Sequence, residues 1–200
     1  MKKVIAAVLS SVVLLSGVAN ASLIKNGSFE ENTVNAGGWS SFSANQVNGW
    51  SGDTIEIWNN LNGFAAFDGS QHIELNSDNT GFQTIFQNFA SEAGQTYSLE
   101  FAYAARENLN ESFKVEVLDA ATNNMLFSQN IEYTSVRQWD TFSTIFAATS
   151  DFSQVRFTSL NRGSKGNLID AVSVAVPEPG SIGLIALGLL ALSGRRKFKA

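Results

Sequence analysis

The 200-residue sequence predicts an all-β fold, a β-sandwich or jelly roll with a signal peptide before it and a short transmembrane helix after it. Three observations predict this. Residues 23–176 show no helical periodicity but many short runs of β-branched and aromatic residues separated by Gly, Asn, Asp and Ser. Most of these runs alternate apolar with polar side chains, as strands with one buried face do. Both termini have the composition of targeting segments rather than of a packed domain.

The chain opens "MKKVIAAVLSSVVLLSGVANA": two lysines, an apolar run over 4–18 lightened by serines, then Ala19-Asn20-Ala21. This is the charged, apolar and small-residue order of a secretory signal peptide over 1–21, with cleavage at the Ala19 and Ala21 pattern and Ser22 as the mature start. The remainder before Pro177 is about 155 residues, enough for one buried core, so 22–176 is read as a single domain. Within it, 31–53 is low in charge and rich in Asn, Gly and Ser, and reads as a long loop region containing Trp39 and Trp50.

Nine strands follow in order: "TIEIW" at 54–58, "QHIEL" at 71–75, "FQTIFQNF" at 82–89, "TYSLEFAYAA" at 96–105, "SFKVEVLD" at 112–119, "NMLFSQNIE" at 124–132, "DTFSTIFAA" at 140–148, "QVRFTSLN" at 154–161 and "LIDAVSVAV" at 168–176. Nine short strands at this spacing suit a sandwich or jelly roll. Alternation places Tyr97, Leu99, Phe101 and Tyr103 in the core, with Ser98, Glu100, Ala102, Ala104 and then Arg106 on the opposite face. Phe113, Val115 and Val117 alternate in the same way with Lys114 and Glu116, whereas "DTFSTIF" alternates less cleanly.

Composition narrows the function. There is no cysteine, so an exported domain of this kind takes its stability from its core, aided by a metal ion if one is bound, and not from disulfides. A formal charge of −5, with cations concentrated at the two termini, argues against nucleic acid as a partner. The single histidine, His72, shares parity with Glu74 on "QHIEL" and is placed on the polar face; with no Cys and one His, Cys/His and multi-His metal chemistry are excluded. Carboxylates for glycoside hydrolysis are present in Glu56, Asp68, Glu74, Glu100 and Glu116, with nothing to single out a pair. The N-glycosylation triplets at Asn26 and Asn110 carry little weight, and Asn26 is read as a turn residue.

The last segment, 177–200, reads "PEPGSIGLIALGLLALSGRRKFKA". Its apolar run over 182–194 spans about 20 Å as a helix, short of a ~30 Å hydrocarbon core. The basic end over 195–199, with Arg195, Arg196, Lys197 and Lys199, would hold the C-terminus on the cytoplasmic side. Pro177-Glu178-Pro179, the small-residue helix and the Arg-rich end together resemble the PEP-CTERM sorting signal of Gram-negative bacteria. The resemblance implies transient anchoring in the inner membrane and processing by an exosortase. It also implies a mature protein at the cell surface or in an exopolysaccharide or biofilm matrix. An ordinary membrane anchor is the alternative.

The mature domain carries "LIKNGSFEE" at its start, "GW" at 49–50, "DGSQHIELN" at 68–76, "GQTYSLEFAYAAR" at 94–106 and "NLIDAVSV" at 167–174. This pattern resembles the galactose-binding-like jelly rolls of carbohydrate-binding modules. In several such families a carboxylate after the first short strand and an Asp on the last strand share one structural calcium ion; the matching residues are Glu30 and Asp170. The resemblance also implies a sugar ligand, for which an aromatic platform among polar side chains is the expected equipment. Trp58, at a strand end followed by Asn59, Asn60 and Asn62, is the first candidate; Arg106 and Trp39 follow, while Trp50 and Trp139 are assigned to the core. The expectation is a non-catalytic, polysaccharide-binding matrix protein. A purely structural matrix component and a glycan-active hydrolase are the alternatives.

Overall fold

The computed structural model describes residues 21–77, 82–132 and 134–177. The sorting tail from Glu178 through Pro179, Arg195 and Arg196 lies outside these, as does Ala19 of the cleavage pattern. Among the described residues eleven strands form: β1 Gly38–Phe42, β2 Ser51–Gly52, β3 Ile55–Asn59, β4 Gln71–Glu74, β5 Thr84–Ala90, β6 Thr96–Ala105, β7 Phe113–Asp119, β8 Met125–Ile131, β9 Asp140–Ala147, β10 Phe152–Ser159 and β11 Asn167–Ala175. A six-stranded antiparallel sheet, β1-β3-β4-β11-β6-β9, faces a five-stranded antiparallel one, β2-β5-β10-β7-β8. The predicted jelly-roll sandwich is therefore present, and all nine expected strands occur with ends within two residues of those expected. The two additional strands, β1 and β2, lie in the segment expected to be loop. "GWSSF" holds no β-branched residue, and its strand conformation comes from pairing with β3, from Gly38 opposite Asn59 to Phe42 opposite Ile55.

The core lies between the sheets. Phe101 stacks on Phe142 at 4.9 Å between ring centroids and meets Phe157 edge-on at 5.0 Å, so the predicted inward row of β6 does bury. The N-terminal segment closes one side of the sandwich against β11: the Leu23 N–H donates to the Val174 carbonyl at 2.7 Å, and the Val172 N–H to that of Gly27 at 3.0 Å. At Gly27 a Cβ would sit 2.0 Å from the Val172 carbonyl oxygen, which explains the glycine of "NGSFE". Phe29, from the same motif, is fully buried and stacks on Trp50 at 5.2 Å, while the Trp50 indole N–H donates to the Asn26 carbonyl at 3.1 Å. The opening motif and the "GW" downstream are thus one packing unit, and Trp50 is core as expected.

The expectation of a solvated polar face fails on part of the six-stranded sheet. Glu56 on β3, His72 and Glu74 on β4, and Asp170 on β11 point away from the core yet are buried. The reason is tertiary: loops fold back over this outer face, bringing Phe64, Phe67, Trp139 and Gly166 against it.

Candidate functional site

Over β11, β6 and β9 the same face is partly open: Glu100, Thr141 and Ser143 are exposed, while Asp170 and Ala102 stay buried. Register places Ser173, Glu100 and Ser143 side by side, and next to them Asp170, Ala102 and Thr141. A register shift between Asp170 and Ser173, with Ala171 at φ 51°, inserts an extra residue into β11, and such bulges re-aim side chains at functional faces. The result is a groove of about 390 Å³, floored by Glu100, Ala102, Thr141, Ser143, Ala171 and Ser173 and walled by Phe67. Phe67 is 50% exposed. Its backbone N–H donates to Asp170 Oδ2 at 2.8 Å, and the Asp68 N–H to the same oxygen at 2.9 Å. Asp170 therefore sets the position of the wall.

Beside the groove lies a closed cluster built on β3 and β4. Trp58 is only 3% exposed, which corrects its expected role as a sugar platform. Its indole N–H donates to Glu56 Oε1 at 2.6 Å, His72 packs against it at 5.7 Å, and the Arg106 guanidinium lies 4.8 Å above the ring. Arg106 acts as a plug: its Nη1 donates to both Glu74 oxygens, at 3.0 and 2.8 Å, and to the Ser164 carbonyl at 3.1 Å. Glu56 and Glu74 face each other across β3 and β4. Burial raises Glu56 and pushes Glu74 up to about 8, although Arg106 opposes both shifts. His72 does share the outer face with Glu74, but burial lowers it to about 4, and neither ring nitrogen has a hydrogen-bond partner among the described residues. A buried imidazole of this kind is an uncharged packing element.

Phe64 stacks on Trp139 at 5.1 Å and both meet His72 edge-on, while Phe67 meets Trp139 at 6.2 Å. Trp139 is therefore half-buried under the outer-face loops, with its indole N–H on the Ala65 carbonyl at 2.9 Å, and the expectation that it belongs to the sandwich core is corrected. Trp39 is 53% exposed and sits directly opposite Trp58 in the β1–β3 pair. Three strand spacings separate it from β11, roughly 14 Å. The fold thus brings Trp58 and Arg106 together in a closed cluster and leaves Trp39 apart at the sheet edge.

Glu30 and Asp170 grip the two ends of one loop. Glu30 accepts the Ser70 and Gln71 N–H groups at 2.8 and 2.6 Å and the Ser70 hydroxyl at 2.8 Å. Asp170, fully buried, accepts the Phe67, Asp68 and Ala171 N–H groups. Burial, with the charge of Asp68 adding to it, pushes Asp170 up to about 7 against these N–H groups, which lower it. Hard oxygen donors and a buried carboxylate suit calcium in kind. Among the described residues no group of three or more His, Cys, Asp or Glu is placed to hold a metal ion, so an ion here would draw on backbone carbonyls for its remaining ligands.

Of the groove residues, Glu100 and Ala102 were legible as a non-core row and Glu100 as an available carboxylate. Phe67, Thr141, Ser143, Ala171 and Ser173 were missed. Phe67 stands alone in "AAFDGS" with no periodic signal, and a bulge at Ala171 has no signature in "IDAVS". Of the other carboxylates, Glu116 lies on the opposite sheet and pairs with Lys114 at 2.8 Å, and Asp68 holds the Ser28 hydroxyl at 2.7 Å.

Comparison with known proteins bears on both parts of the chain. The family model described as "Protein of unknown function (DUF642)" matches residues 22–175, and that of the PEP-CTERM protein-sorting motif matches 175–197. No curated protein matches the sequence. Among solved structures, a family 16 carbohydrate-binding module aligns with TM-score 0.54 and 17% identity over 76% of this chain and 99% of its own. The module TmCBM61, solved with β-1,4-galactotriose, aligns with TM-score 0.52 and 14% identity over 78% of this chain and 98% of its own. The enzymatically active domain of a bacteriophage CBA120 tailspike aligns with TM-score 0.51 and 16% identity over 78% of this chain and 21% of its own. At these identities the likeness is one of fold, and it is mostly to non-catalytic modules.

Proposed function

The chain belongs to the DUF642 family and ends in a PEP-CTERM sorting motif, and from that premise we propose that it is an exosortase-sorted surface protein whose jelly roll binds polysaccharide without cleaving it. The polymer is the exopolysaccharide or biofilm matrix of the producing Gram-negative cell. The observation that carries this reading is the groove on the outer face of β11, β6 and β9, with Phe67 as an exposed aromatic wall beside hydroxyl and carboxylate side chains. A wall of this kind stacks on sugar C–H faces while the floor hydrogen-bonds hydroxyls. Trp39 extends the same face and would meet a long chain at a second point. A hydrolytic reading is disfavoured because the facing pair Glu56 and Glu74 is sealed under Trp58 and Arg106.

The test is retention of the purified protein on a panel of soluble polysaccharides by affinity electrophoresis. Phe67→Ala is expected to weaken retention roughly two- to ten-fold, the range of one aromatic contact, with unchanged melting. Retention of no polymer by folded protein, or retention indifferent to Phe67, would overturn the reading. For the calcium ion, we propose that Glu30 and Asp170 supply its carboxylate ligands and that it cross-links the first and last segments of the domain.

A further inference from the structure

We infer that the groove takes a polysaccharide carrying free amino groups, with the Glu100 carboxylate as the counter-charge of a protonated sugar amine. This rests on the carbohydrate reading of the same groove. Glu100 stands on the central strand of the groove floor, between Ser173 on β11 and Ser143 on β9. At normal strand spacing these three side chains line up across about 10 Å, long enough to meet more than one sugar ring. Among the described residues no Lys, Arg or His lines the groove. Among the described residues the four ion pairs all lie elsewhere, so Glu100 meets no cation of its own. Residues 22–176 carry seven Lys and Arg against seventeen Asp and Glu, a net of −10.

These charges rank the polymer classes. A uronate or sulfated chain would approach a negative domain and lie against an unpaired carboxylate, which repels it. A neutral chain can offer Glu100 hydroxyl hydrogen bonds but no opposite charge. A chain with protonated amines gains the hydroxyl contacts and a charge-assisted hydrogen bond to Glu100 as well.

Titration calorimetry of the purified protein against four soluble probes tests this: glucosamine oligosaccharides, their N-acetylated counterparts, a neutral glucan and a polyuronate, below neutral pH and at low salt. The free-amine oligosaccharides should bind roughly two- to five-fold tighter than the acetylated ones, the range of an exposed ion pair. That ratio should fall toward one in high salt and in Glu100→Gln. Equal affinity for the two forms, a ratio that survives Glu100→Gln, or tightest binding of the polyuronate overturns the assignment while leaving carbohydrate binding in place. Binding of none of the four overturns both.

Discussion

Trp58 is held on three sides: Glu56 takes its indole N–H, His72 packs beside it, and Arg106 covers its ring. Removing it would leave a cavity and strip two buried groups of their partner. Trp58→Ala is therefore expected to cost about 3–5 kcal/mol of stability, read as a lowered midpoint in urea melts. An exposed sugar platform would lose affinity and keep its stability, so a stability change near zero would show that the burial described for Trp58 is wrong. A Trp at a strand end flanked by asparagines reads as solvent-facing. What buries it is an arginine 48 positions downstream, and local sequence carries no trace of that contact.

At the scale of elements, β3 and β4 place two carboxylates opposite each other with one guanidinium nearby. Glu74 is raised in the fold from 4.5 to about 8, so the folded state holds its proton more tightly than the unfolded chain. Its contribution to stability is fully present below about pH 4.5 and is lost as pH rises through 8. His72 acts in the opposite sense: lowered from 6.5 to about 4, it contributes stability above its unfolded value, and that contribution is lost as pH falls toward 4. Urea melts between about pH 5 and pH 9 should show wild-type stability falling on the alkaline side. Glu74→Gln, which stays neutral throughout, should flatten that limb. An alkaline slope unchanged in the variant would place the titrating group elsewhere.

For the whole molecule, the open question is what holds the first and last segments together in an exported domain without a disulfide. Backbone pairing of residues 23–27 with β11 and the packing of Phe29 on Trp50 supply part of the answer. If calcium occupies the Glu30 and Asp170 seam, millimolar calcium should raise the melting temperature by several degrees, because a ligand that binds only the folded state stabilises it by mass action. Chelator should reverse the shift and Asp170→Asn should abolish it. Identical melting with calcium and with chelator would assign the seam to Glu30 and Asp170 acting on the backbone N–H groups of the 67–71 loop alone.

The sequence by itself determined that the chain is exported and sorted, that its domain is a β-sandwich, and which face of β6 and β7 is buried. Export signals are read as linear strings, and a period of two is imposed by the strand itself on any segment with one wet face. Tertiary structure decided the rest. Whether an outward-facing Glu56, His72 or Glu74 meets water depends on loops that return from elsewhere in the chain, and which β11 residue lies beside Glu100 depends on a bulge in a strand some seventy residues away. Such long-range contacts are set by how the loops and sheets pack, and no local pattern encodes them.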